Sequence, residues 1–178
     1  MPRPAQAPTR RRADAFVDMS AREAPPTLDL ERFLPYRLSV LAQRVSADLH
    51  ARYAGRFGLT VAQWRVMACL GRFAPVSANE VCVRIVMDKV AVSRALAAMT
   101  STGLVEATTD PLDRRRGVLR LTPKGRDVHA AIAPLALDYE ATLWAGLTPG
   151  ERAAFDALLG KLDTHARSMS DPDAADTG

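Results

Sequence analysis

Between Ser77 and Arg126 the chain lays out, without a gap, two short helices and a charged hairpin. Ser77-x-x-Glu80 has the form of a capping box, in which a hydroxyl accepts from an early helical N–H and the carboxylate reaches back to the cap. It predicts a helix from Ser77 to Val86. Asp88 is a good N-cap and opens a second helix that runs to about Thr102, closed by Gly103. Leu104-Val105 and Val118-Leu119-Arg120-Leu121 predict short strands, with Asp110-Pro111-Leu112-Asp113 turning between them. Arg114, Arg115 and Arg116 fall at the tip, on a loop too short and too charged to be packed inside.

The flanks of this segment are helical. Thr60-x-x-Gln63 and Thr148-x-x-Glu151 are two further capping boxes, the second with Pro149 at the first helical position, so three helix starts are fixed. Leu38, Leu41, Val45 and Leu49 recur at helical spacing from about Pro35 to Tyr53, where Gly55 and Gly58 are expected to break the helix. A helix after Pro123 carries Val128, Ile132, Leu135, Tyr139 and Leu143 along one face, and a last one carries Phe155, Leu159, Leu162 and Met169. These apolar stripes exceed what a motif of about fifty residues could cover. A second copy of the chain is expected to meet them.

The reading is thus mainly α with a small β-hairpin wing: a winged helix-turn-helix flanked by long N- and C-terminal dimerisation helices. Its segments are a flexible basic arm (1–27), an N-terminal dimerisation helix (28–58), a DNA-binding domain (59–122), C-terminal dimerisation helices (123–169) and a disordered tail (170–178). The chain has 178 residues, 48% of them hydrophobic, which excludes a disordered or fibrous protein. The formal net charge is only +4, so placement matters more than the sum. Residues 110–126 hold six bases against two aspartates, whereas residues 148–178 hold six acids against three bases. One end of the body should attract polyanions. Cys69 and Cys82 lack CxxC or Cys/His spacing and fit a reducing cytoplasm, and neither a membrane span nor a secretory signal is visible. No cofactor and no metal site is expected.

Within the second helix of the motif, ~100° of rotation per residue puts Val92, Ala95, Leu96 and Met99 on one side and Val90, Arg94, Ala97 and Ser101 on the other. The first set should pack. Lys89, Val90, Ser93 and Arg94 then lie in the two turns of a recognition helix that reach the major groove. Arg94 can make a bidentate contact to guanine, Val90 can meet a thymine methyl, and Ser93 and Lys89 can touch phosphate. Ser77, at the head of the preceding helix, belongs to the same candidate DNA-binding set. In the wing, Asp113 can hold one guanidinium while the other arginines face outward, where a narrow minor groove would favour them.

Taken together, Gln63-Trp64-Arg65-Val66, the run from Asp88 to Arg94, Gly103-Leu104-Val105, Asp113-x-Arg115 and Leu121-Thr122-x-x-Gly125 resemble the MarR family of bacterial transcriptional regulators. With its flanking helices the resemblance covers about residues 30 to 168. It implies a dimer, usually a repressor, that binds double-stranded DNA at pseudo-palindromic operators and releases them when a small molecule binds. The family's wing aspartate and arginine fall on Asp113 and Arg115, and its recognition-helix Ser-Arg on Ser93 and Arg94. Glu106-Ala107 departs from the basic residue common in the first wing strand, a role left to Arg114 or Arg116. The segment Phe33 to Leu41, with Gln63-Trp64-Arg65, is similar to members that respond to aromatic acids or their CoA thioesters. A family-style effector pocket would use Tyr36 and Trp64 as aromatic walls and Arg37, Arg44 or Arg65 as the anion partner.

Three other readings compete. His50, His129 and His165 lie on different helices without catalytic partners at motif spacing, so an enzyme is not expected. Oxidation of Cys69 or Cys82 could disturb the DNA lobe and make a redox-responsive regulator. A nucleic-acid-binding module without sequence preference, helped by the basic arm, is the third.

Overall fold

The structure, a computed structural model, describes residues 27–109 and 117–170. The basic arm before residue 27, the hairpin tip with Asp113, Arg114, Arg115 and Arg116, and the tail after residue 170 lie outside the described residues. The chain divides into two compact units at Leu38/Ser39. In the first, Asp29 builds a turn: its carboxylate accepts from Glu31 N at 3.1 Å and its carbonyl from Phe33 N at 2.9 Å, leading into α1 (Leu34–Phe57).

In the second unit α1 continues to Phe57, four residues beyond the expected end at Tyr53. Gly55 does not break it, because one helical glycine costs only ~1 kcal/mol relative to alanine. Burial of Tyr53 and partial burial of Phe57 against the core offset that. The helix stops instead at Gly58, whose φ of 65° is left-handed and whose N–H donates to Ala54 O at 2.8 Å. The Thr60 box opens α2 (Val61–Phe73), with Gln63 N donating to the Thr60 hydroxyl at 3.2 Å and the Gln63 amide accepting from Thr60 N at 2.8 Å. The Ser77 box opens α3 (Ala78–Ile85), Asp88 caps α4 (Lys89–Ser101), and the Thr148 box opens α6 (Pro149–Ser170). Thr122 caps α5 (Pro123–Trp144), with Pro123 in the first turn.

β1 (Val105–Thr109) and β2 (Gly117–Leu121) form an antiparallel pair in which Val105 faces Leu121 and Thr109 faces Gly117. The first strand is longer than Leu104-Val105. Only Val105 of it is buried, so alternation could not reveal the rest, and the partner strand sets its length. Val76, between α2 and α3, adds an isolated antiparallel bridge to β2, with Leu119 N donating to Val76 O at 2.8 Å. The core joins Val66, Met67 and Leu70 of α2 to Val81, Val92, Met99, Val105 and Ile132. α1 meets α5 where the Tyr139 hydroxyl donates to Asp48 at 3.5 Å beneath the Arg52 guanidinium, 4.8 Å from the ring centre.

Where the wing returns to the helices, α5 begins hard against the backbone. Gly125 is buried, and a Cβ there would overlap the Leu104 carbonyl oxygen. Gly125→Ala is therefore expected to destabilise the protein by about 1–3 kcal/mol, read as a lower urea midpoint, whereas alanine at exposed Gly146 should leave the midpoint unchanged.

Candidate nucleic-acid interface

The outward face of α4 is decided by what its inward face buries. Val92, Ala95, Leu96 and Met99 are all buried, which turns Lys89, Val90, Ser93, Arg94 and Ala97 to solvent. Val90 is 58% exposed, so an apolar side chain stands on the same outward face as Lys89, Ser93 and Arg94. Asp88 fixes the helix start by accepting from Ala91 N at 2.9 Å, leaving the first N–H groups and the positive end of the helix dipole beside Lys89. A cleft of about 530 Å³ runs between α3 and α4, lined in part by Asn79, Cys82, Lys89 and Ser93.

Ser77 has a narrower role than expected. Its hydroxyl donates to Glu80 Oε2 at 2.7 Å and accepts from Glu80 N at 3.3 Å, so its one proton is committed to the cap rather than offered to a phosphate.

The basic segment is also divided. Lys124 Nζ donates to Thr102 O at 2.8 Å and Arg126 Nη1 to Leu121 O at 2.9 Å, while the Thr122 hydroxyl donates to Gly103 O at 2.6 Å. Lys124 thus ties the start of α5 to the end of α4, and Arg126 ties α5 to the last residue of β2. Arg120 is exposed on β2 opposite Glu106, so the acid that departs from the family pattern sits across from a base.

The candidate effector residues fall in both units. Tyr36 and Arg37 are exposed in the first turn of α1, within the first unit. In the second, Arg44 is exposed on α1, and exposed Arg65 donates from Nη2 to the Ser46 hydroxyl at 3.0 Å. Trp64 is half-buried between two rings, with Tyr53 at 5.7 Å and His129 at 5.9 Å, the latter nearly parallel at 25°. His50 continues the ladder edge-on to Tyr53 at 5.3 Å and bonds Leu59 O at 3.1 Å. Trp64 is therefore less a free pocket wall than one rung joining α1, α2 and α5. Burial raises the Tyr53 phenol above its ordinary pKa, opposed by the Arg65 charge.

Cys69 is buried, and burial pushes its thiol up against the opposing charge of Arg84, which disfavours the thiolate. Cys82 is half-buried in the cleft wall. Among the described residues, no group of three metal-ligating side chains comes together, and no helix is long and apolar enough to cross a membrane.

The sequence profile of the MarR family matches residues 57–116, from the end of α1 into the wing. Among solved structures the chain is similar to a MarR-family transcriptional regulator of Silicibacter pomeroyi, at 30% identity over 75% of this chain and 89% of that one, with a TM-score of 0.64. The chain belongs to the MarR family of transcriptional regulators. It is also similar to Bordetella bronchiseptica BpsR, whose DNA binding is regulated by 6-hydroxynicotinic acid, at 27% identity over 78% of this chain and 98% of that one, TM-score 0.68. The HTH-type transcriptional repressor NicR of Pseudomonas putida is 24% identical over 151 residues, 81% of this chain and 95% of NicR. The likeness to members that respond to aromatic acids thus has a counterpart among these MarR relatives.

The cap on α4 gives a direct check of this geometry. Asp88→Ala should cost about 1 kcal/mol, read by thermal unfolding as a drop of roughly 2–4 °C. Asp88→Asn, which keeps an acceptor for Ala91 N, should restore most of it.

Proposed function

We propose that the protein is a homodimeric repressor that covers a pseudo-palindromic operator and leaves it when a small aromatic acid, or its CoA thioester, binds. The observation that carries this is the solvent-facing set Lys89, Val90, Ser93 and Arg94 on a capped helix packed by its other side. In the proposed complex Arg94 reads guanine, Val90 meets a methyl, and Lys89 and Ser93 hold phosphates. In the same complex the wing-tip arginines Arg114, Arg115 and Arg116, with Asp113, are assigned to the flanking minor groove.

Dimerisation is supported by α6. Its 22 residues extend ~33 Å, and from Pro149 to Met169 every one is exposed, including Phe155, Leu158, Leu159 and Leu162. A helix with no buried residue gains little from its own chain. Next to it lies an apolar cleft of about 380 Å³ walled by Leu41, Val45, Leu143, Trp144, Leu147 and Phe155. A second copy occupying this face places two α4 helices on one side of a duplex.

For the effector, the control of BpsR by 6-hydroxynicotinic acid supports an aromatic carboxylate. Exposed Arg44 and Arg65 supply guanidinium N–H groups for the anion, and half-buried Trp64 supplies an aromatic face. The ligand acts through its different affinity for the DNA-bound and free shapes of the dimer. The high pKa of the Cys69 thiol argues against an oxidative trigger there.

The test is a mobility-shift titration of the protein on its upstream intergenic DNA, challenged with aromatic acids and with their CoA esters. One of the two classes should release the complex. Arg94→Ala should lower the ratio of specific to random DNA affinity by about 5- to 150-fold, the equivalent of ~1–3 kcal/mol. Equal loss on both DNAs would contradict base reading. Leu159→Asp with Leu162→Asp should yield a monomer by light scattering and abolish operator binding; a stable dimer would remove the proposed interface.

A further inference from the structure

Among the described residues, three helices end at a residue in the left-handed region. Two of those residues are glycines, Gly58 at φ 65° and Gly103 at φ 71°. The third is Val86, at φ 49° and ψ 53°. Its N–H donates to Cys82 O, and Met87 N donates to the same carbonyl at 3.1 Å, so α3 closes with 5→1 and 6→1 bonds to one carbonyl around a left-handed cap. A β-branched side chain is the least suited to that conformation, because Cβ and its two methyls crowd the adjacent carbonyl.

Strain of this kind persists where something compensates for it. The cap hydrogen bonds to Cys82 O and the partial burial of Ile85 and Met87 on either side hold the backbone there, but the Val86 side chain itself gains nothing from packing. Val86 is 84% exposed, so its methyls bury almost nothing. Val83, at 71%, and Val90, at 58%, share this state, so three of the eight residues from Val83 to Val90 are strongly exposed valines. Val86 stands two residues before the Asp88 cap, and Val90 shares the first turns of α4 with outward-facing Lys89, Ser93 and Arg94. Apolar contact with a thymine methyl is the one form of major-groove readout that calls for a small branched hydrocarbon rather than a polar group.

We propose that Val86 is a specificity-determining residue, held in a strained conformation at the helix-turn-helix corner so that its methyls, with those of Val90, pack on thymine methyl groups of the operator. This rests on the DNA-binding reading above. It adds a recognition element outside the recognition helix.

The experiment starts from a random duplex pool, from which the full-length protein selects its preferred site. Thymines of that site are then replaced singly by deoxyuridine, which removes only the methyl. One or two replacements should weaken wild-type binding about fourfold each, the worth of one buried methyl-sized group. At least one of these replacements should lose its effect in Val86→Gly and Val86→Asn, whose binding to the unmodified site is already weaker, while a thymine read by Val90 alone keeps its effect. Both variants should unfold at a higher temperature, by roughly 2–4 °C, because glycine and asparagine tolerate the left-handed conformation. Failure of the pool to converge on any site would overturn the DNA reading itself. A converged site that both variants bind as tightly as wild type, or a lowered unfolding temperature in both, would overturn this inference alone.

Discussion

Burial of Val92, Ala95, Leu96 and Met99 against α2 and α3 is the constraint on which the functional surface depends. Each large apolar side chain removed from water contributes about 1.5–3 kcal/mol. Turning α4 by one residue, ~100°, would expose several of them, and no contact available to Lys89 or Arg94 in the free protein offsets such a loss. The face offered to DNA is therefore set by the core and not by the charges it carries. The Asp88 cap and the Thr102–Lys124 and Gly103–Thr122 bonds then fix where α4 starts and how the wing leaves it.

The same logic separates structural from available charge. Lys124 and Arg126 count as part of a basic cluster along the chain, yet both are spent on backbone carbonyls at the wing base. Arg84 lies 4.3 Å from the centre of the Phe73 ring and Arg65 bonds Ser46. Among the described residues of the DNA lobe, Lys89 and Arg94 on α4 and Arg120 on β2 stay exposed without such a bond to the backbone. Affinity from such a set is salt-dependent, whereas discrimination rests on the few groups that reach base edges.

Much of the fold was legible from local chemistry. Capping is an interaction between residues three apart, so Thr60, Ser77, Asp88 and Thr148 marked helix starts without knowledge of the rest, and helical periodicity named the buried face of α4. What the sequence could not disclose was set at long range. The extension of β1 follows from its partner, and Val76 joins the sheet through Leu119. The ladder of His50, Tyr53, Trp64 and His129 is assembled from three helices, although each histidine alone has no partner at motif spacing. Gly55 was read as a breaker because propensity is local, and the burial of Tyr53 and Phe57 that overrides it is not. The left-handed Val86 contradicts its own local preference, and that contradiction marks a position where folding alone does not explain the residue.

The account stands on two copies presenting α4 to one side of a duplex. Dimethyl sulfate interference, which marks guanine N7 in the major groove, tests this directly on the selected operator. Interfering guanines should fall in two clusters centred ~10 bp apart on one face of the helix. A single cluster, or interference spread evenly around the duplex, would contradict it.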